Sequence, residues 1–159
     1  MTDNLIGTSI WGAAALPATN NTAGFEALTW VKINGLIAAP VFGITHANID
    51  VPDLQSGFTG GVKGAGTGDD TSATFRAVGS DTGQGNVETA ANSPAGIFSL
   101  KIVKRGSGTA NAPAAGDAVE YAQGYVHSYK DNQADGGQFE GFTVNFKQND
   151  FTIKDVEPS

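Results

Sequence analysis

Two runs near the end of the chain constrain the fold more than any other feature: Gly124-Tyr125-Val126-His127-Ser128-Tyr129-Lys130-Asp131-Asn132 and Glu140-Gly141-Phe142-Thr143-Val144-Asn145-Phe146-Lys147-Gln148-Asn149-Asp150. In the second run Phe142, Val144 and Phe146 alternate with Thr143, Asn145 and Lys147, the period-two pattern of an antiparallel strand with one face buried. Asp131 to Gly137 between them is dense in residues that tolerate turn dihedrals, so the pair predicts a long β-hairpin. In the first arm, taken as Val119 to Tyr129, Val119, Tyr121, Tyr125, His127 and Tyr129 fall in phase, and Gly124 marks a bulge or a close backbone approach.

Further strands are expected at Thr29 to Asn34, at Val41 to Thr45 and at Ser72 to Val78. Another is expected at Ile97 to Lys104, with Phe98, Leu100 and Ile102 inward and Ser99 and Lys101 outward, and a last short one around Phe151 and Ile153. Only one helix is predicted, from Thr82 to Asn92. Asp81 caps it, Gln84 stands where a side chain can return to the cap's amide, and Pro94 stops it. Six or more strands with one helix and no βα alternation predict a mainly β fold, a β-sandwich or partly closed barrel of two packed antiparallel sheets with a short flanking helix. The 22 glycines, spread along all 159 residues, fit frequent turns and would weaken a helix bundle throughout.

A chain of 159 residues is expected to form one domain. Within it, residues 1–27 lack either period and read as an N-terminal arm. Its Leu5, Ile6, Ile10, Trp11 and Leu16 need a surface to lie on, either the chain's own domain or a neighbouring subunit. The segment from His46 to Thr71 is long for a connection, glycine-rich in its second half, and carries Ile49, Val51, Leu54 and Phe58. It reads as a projecting loop or hairpin that orders against a partner. Residues 154–159 form a C-terminal tail whose last three residues are expected to fray.

Nine basic against sixteen acidic residues give a net charge of −7, which argues against gripping nucleic acid through its phosphates or docking on an anionic membrane. With no cysteine there is neither a disulfide nor a thiolate metal site, and no apolar run approaches the length of a membrane span. No Lys or Arg precedes Lys32, so a cytosolic origin is expected. His46 and His127 do not share a zinc-ligand spacing, and Gly64, Gly66 and Gly68 belong to no phosphate-binding pattern. The calcium-loop likeness starting at Asp131 fails at its twelfth position, which is Phe142. With no nucleophile elbow and no opposed acid pair, the expectation is no catalytic residue, no metal and no cofactor.

The hairpin of the last third, with Ile49-Asp50-Val51-Pro52-Asp53-Leu54 and Lys63-Gly64-Ala65-Gly66-Thr67-Gly68-Asp69-Asp70 upstream, resembles the tail tube (major tail) proteins of long-tailed bacteriophages. The likeness runs from Thr29 to Asp155 and is least over residues 1–27. It implies two packed β-sheets with a flanking helix, assembled as hexameric rings stacked into a virion tail tube through which DNA passes unbound. Tail initiator and terminator proteins and a tape measure protein are the implied partners, and assembly would take place in the bacterial cytoplasm. By position, the 46–71 segment would reach the adjacent ring, which makes Asp50, Val51, Asp53, Leu54, Phe58 and Lys63 candidate contacts. The arm would add Ile10 and Trp11, the tail after Phe151 would add further contacts, and the helix would face outward. Two alternatives stand beside this reading. One is the tube of a gene transfer or contractile secretion particle. The other is a carbohydrate-binding or adhesion module using Tyr121, Tyr125 and Tyr129 as an exposed aromatic platform.

Overall fold

The computed structural model of the chain describes residues 5–158. Its longest strand is β8, Ala118–Asp131, which pairs antiparallel with β9, Gly141–Gln148, as the expected hairpin. Val126 lies opposite Phe146 and His127 opposite Asn145; the register then slips, and Lys130 meets Thr143. Ser128 sits in the slip with φ of 57°, a left-handed backbone that marks a bulge. The bulge reverses the side-chain phase, so Tyr129 turns inward to stack on Phe142 while His127 stays half-exposed. At Gly124 an added Cβ would lie 1.9 Å from the Lys147 carbonyl oxygen, so this glycine answers to a close backbone approach.

Around this hairpin the remaining strands build one eight-stranded antiparallel sheet. Its members are β1 (Ser9–Ala13), β2 (Val31–Ile33), β3 (Leu36–Ala38), β6 (Asp70–Arg76) and β7 (Ile97–Val103). The order is β2-β1-β7-β8-β9-β6-β3, with β10 (Ile153–Val156) beside the first half of β8. The two ends of this path, β2 and β3, are consecutive in sequence and joined by Asn34 and Gly35 alone. A link of that length reaches only about 10 Å, so the sheet must curl until its edges nearly meet. The result is a partly closed barrel.

The second sheet is a separate two-stranded one of β4 (Ile44–Pro52) and β5 (Thr59–Gly68).

The barrel's interior is filled by Ile10, Ile33, Phe75, Phe98, Leu100, Ile102, Val126, Phe142, Val144 and Phe146, all buried. The helix α2, Thr82–Ala91, closes the open side with Val87 and Ala90. Its Asp81 accepts the Gln84 amide at 3.0 Å, as a capping acid should. The Gln84 side chain does not return to the cap. It is buried at the seam, where its Oε1 accepts the Val78 amide (3.1 Å) and its Nε2 donates to the carbonyls of Asn34 (2.6 Å) and Arg76 (2.8 Å). Gly35, at φ of +82°, lets the link pass the Arg76 carbonyl that a Cβ would otherwise meet at 2.3 Å.

Several sequence expectations are corrected. Residues 1–27 are not one extended arm. Ser9–Ala13 pair with both β2 and β7 inside the sheet, and Thr22–Glu26 form a short helix, α1, capped by Asn21. Residues 1–4 of the arm and Ser159 of the tail lie outside the described residues. The chain from Trp11 to Trp30 crosses the outer face of β7 and β8 and buries a second cluster of Phe25, Val103, Val119 and Tyr121. Phe25 stacks on Tyr121 at 5.1 Å, and Trp30 donates its indole N–H to the Phe25 carbonyl.

Covering of this face explains why Ser99 and Lys101, expected outside, are buried. Ser99 donates to the Ala15 carbonyl, and Lys101 meets Glu157 at 2.8 Å and lies over the Trp11 ring. Glu157, expected to fray, is therefore fixed, and its amide also donates to the Asp117 carbonyl. The strand expected from Val41 begins only at Ile44, and β3 was not foreseen.

Candidate assembly surface

The segment read as a projecting loop or hairpin is a hairpin. In β4 and β5, Ile49 lies opposite Val62, Val51 opposite Gly60, Asp50 opposite Gly61 and Asn48 opposite Lys63. Because alternate residues point to opposite faces, Ile49, Val51 and Val62 share one uncharged face, while Asn48, Asp50 and Lys63 share the other. Every residue from 47 to 63 is exposed, and Ile49, Val51 and Val62 are each about half-exposed. At the tip Leu54 is fully exposed and Phe58 is 74% exposed.

An isolated two-stranded hairpin is marginal in water, so features at its two ends hold this one. The tip is an Asx turn in which Asp53 accepts from the Gln55 amide (2.9 Å) and the Ser56 hydroxyl (2.8 Å), with Gly57 in the left-handed region. The Ser56 hydroxyl, followed by the Gln55 amide, holds the Asp53 carboxyl below its ordinary value. At the base, Lys147 donates to the Gly68 carbonyl, and Thr45 donates to Asp69 at 2.8 Å.

Buried Gln148 ties this base to the barrel. Its Oε1 accepts the Gly43 amide, and its Nε2 donates to the Asp150 carbonyl and the Thr152 hydroxyl. Nearby, His127 meets Asp70 at 3.0 Å. The inner end is thus anchored and the outer half is free of its own barrel.

Of the eight candidate contacts named from sequence, Asp50, Val51, Asp53, Leu54, Phe58 and Lys63 are brought together on this hairpin. Ile10 is not at a surface. It is 1% exposed in the barrel interior, because its strand is paired on both edges and covered on both faces. Trp11 is half-buried in the second cluster against Lys101. Gln148, which sets the hairpin's base, was missed; a lone glutamine at the end of an alternating strand carries no sequence signal of being buried.

The aromatic platform does not form. Tyr121 is 1% exposed, and its hydroxyl is pushed up to about 12 first by burial and then by the charge of Glu157. Tyr129 is turned inward onto Phe142 by the bulge. An open cleft of about 850 Å³ lies between the start of α2 and the β8–β9 turn, walled by Asp81, Glu88, Asp131, Asp135 and Glu140. Among the described residues no group of three His, Cys, Asp or Glu side chains is placed to hold a metal ion. No described helix is long and apolar enough to cross a membrane.

This chain, with its curled antiparallel barrel, shares its fold with a solved tail tube protein. It superposes on a chain of the sheath–tube complex of the PVC extracellular contractile injection system with a TM-score of 0.61 and 10% identity, covering 93% of this chain and 88% of that one. It superposes equally on the SPP1 tail tube protein (0.61, 12% identity, 96% and 78% covered). A chain of the anti-feeding prophage baseplate gives the same score at 6% identity, with 99% and 98% covered. No protein-family profile and no curated protein sequence matches the chain.

Proposed function

We propose that this chain is the structural subunit of a tail tube, a virion component that associates with itself into hexameric rings which stack end on end. The observation that carries the reading is the β4–β5 hairpin, an anchored tongue whose apolar face and tip are uncovered by the chain's own barrel, on a fold shared with known tube proteins. Exposed apolar surface concentrated in one projecting element marks an interaction site. A contact between different surfaces of identical subunits produces rings or open stacks. In a phage tail the lumen would pass DNA without gripping it, since a ring of acidic subunits repels a phosphate backbone. Tail initiator, terminator and tape measure proteins are the partners of that reading.

A contractile injection particle is the second reading, favoured by the PVC and anti-feeding prophage likenesses. A sheath gene beside this one would select it. Negative-stain electron microscopy across rising protein concentration, with mass followed by light scattering, tests the common core of both. Stacked rings or tubes are expected; a monomer at every concentration overturns self-assembly.

A further inference from the structure

Ser128 holds a left-handed backbone at φ of 57°, a conformation that is costly for a residue with a Cβ and that gathers at functional sites. In an unbroken strand its side chain would point away from that of His127, since consecutive residues take opposite faces. The bulge instead brings the Ser128 hydroxyl to 2.7 Å from His127 Nδ1. From β6, on the far side of β9, Asp70 holds the other ring nitrogen, with its two carboxylate oxygens 3.0 and 3.2 Å from Nε2.

A carboxylate only accepts, so Nε2 carries the proton in this contact. That leaves Nδ1 of the neutral ring bare, to accept from the Ser128 hydroxyl. Tyr125 packs beside the ring with centroids 5.6 Å apart. Ser128 is exposed and His127 half-exposed, so the pair is open to a molecule from solvent. The inward turn of Tyr129 accounts for the bulge but not for a serine at it, because glycine or asparagine tolerates this backbone better.

We propose that Ser128 is an activated nucleophile, with His127 as its general base and Asp70 as the positioning residue that fixes the ring's tautomer, and that this site hydrolyses small, unhindered carboxylic esters. The activity lies beyond the tube reading and does not depend on assembly. The roles are those of a Ser-His-Asp triad with the two ring nitrogens exchanged. Ser128 Oγ bonds to the ester carbonyl carbon as its proton passes to Nδ1. The bond from that carbon to the leaving alcohol's oxygen then breaks, and the alcohol takes the proton. Water, giving a proton to the same nitrogen, cleaves the acyl-serine; the acid leaves and Ser128 regains its proton. Because the hydroxyl stands open on the outside of the barrel, solvent rather than preorganised donors meets the developing oxyanion, which confines the activity to esters with good leaving groups.

The test uses p-nitrophenyl acetate on the full chain, with nitrophenol release followed by absorbance and the acetylated residue located by peptide mass spectrometry. The parent should carry acetyl on Ser128. Ser128→Gly removes the hydroxyl and suits the left-handed backbone, so it should melt no lower than the parent while release falls at least about tenfold. His127→Ala should lose a similar factor. Asp70→Asn should slow acetylation of Ser128, and Asp70→Glu should restore part of it, which a purely structural role for Asp70 would not do. Release by Ser128→Gly at the parent's rate, or acetyl found only on lysines, would overturn the proposal whether or not the protein forms tubes.

Discussion

Gln84 shows how much one buried polar side chain can hold, since it satisfies a donor and two acceptors contributed by the β2–β3 link, the end of β6 and the segment before α2. Gln84→Ala leaves those three backbone groups without their partner and opens a void, at a cost of about 2–4 kcal/mol read from chemical denaturation. Asp81 beside it sets part of the acid response. Burial alone would raise its carboxyl, but the hydrogen bonds from Asn34 and the Gln84 amide outweigh that and hold it below its ordinary 3.8. The native state then binds this proton less readily than the unfolded chain, so the contribution is complete above about pH 4 and is lost as pH falls through the lower native value. Asp53, Asp117 and Asp155 shift the same way through hydrogen bonds of their own. The melting temperature should be flat from neutral pH to about pH 5 and fall steeply below about pH 4; Asp81→Asn should soften that fall, and an unchanged slope would remove Asp81 from the account.

Among the elements, those with one wet face were legible in the sequence and those with two dry faces were not. β9 alternates because one side meets the core, and α2 was found from its cap and its proline stop. β1 reads Ser-Ile-Trp-Gly-Ala with burial at nearly every position, so no alternation survives to be seen, and it passed for part of an arm. β7 was found, but its second face was misassigned for the same reason. The tongue is the opposite case. Its composition announced a projecting segment with spaced apolar residues, while its strand pairing was obscured by glycines that the monomer only partly needs. The exposure of Asp50, Val51, Asp53, Leu54, Phe58 and Lys63 together on it was therefore legible, and the misplacement of Ile10 and Trp11 follows directly from the misread strand. Because Leu54 and Phe58 touch little of their own barrel, the double change Leu54→Ser with Phe58→Ser should move monomer stability by no more than about 0.5 kcal/mol. The same variant should fail to form tubes in the microscope; tubes at parental concentration would relieve the tip of any role.

At the scale of the whole molecule, the C-terminus is a fastening. Lys101 and Glu157 are 9% and 17% exposed in their side chains, so removing one partner strands a charge in a poorly solvated place. Glu157→Ala should cost about 3 kcal/mol, and it should do so by loosening β10 and the cluster beneath it, visible as faster amide exchange at Val119 and Tyr121. The two-residue link between β2 and β3 has a consequence for how the protein is made. It fixes both margins of the barrel within the first 38 residues, yet β2 pairs with β1 and β3 with β6, and β7, β8 and β9 must arrive to join β1 to β6. A chain emerging from the ribosome therefore holds the hem of the barrel long before it holds the cloth between, and closure waits until nearly the last strand is released. The two strands of the tongue are neighbours in sequence, but Lys147 and Gln148, which hold its base, arrive with β9, so it too stays unanchored until then and its apolar face is open to other chains throughout that interval.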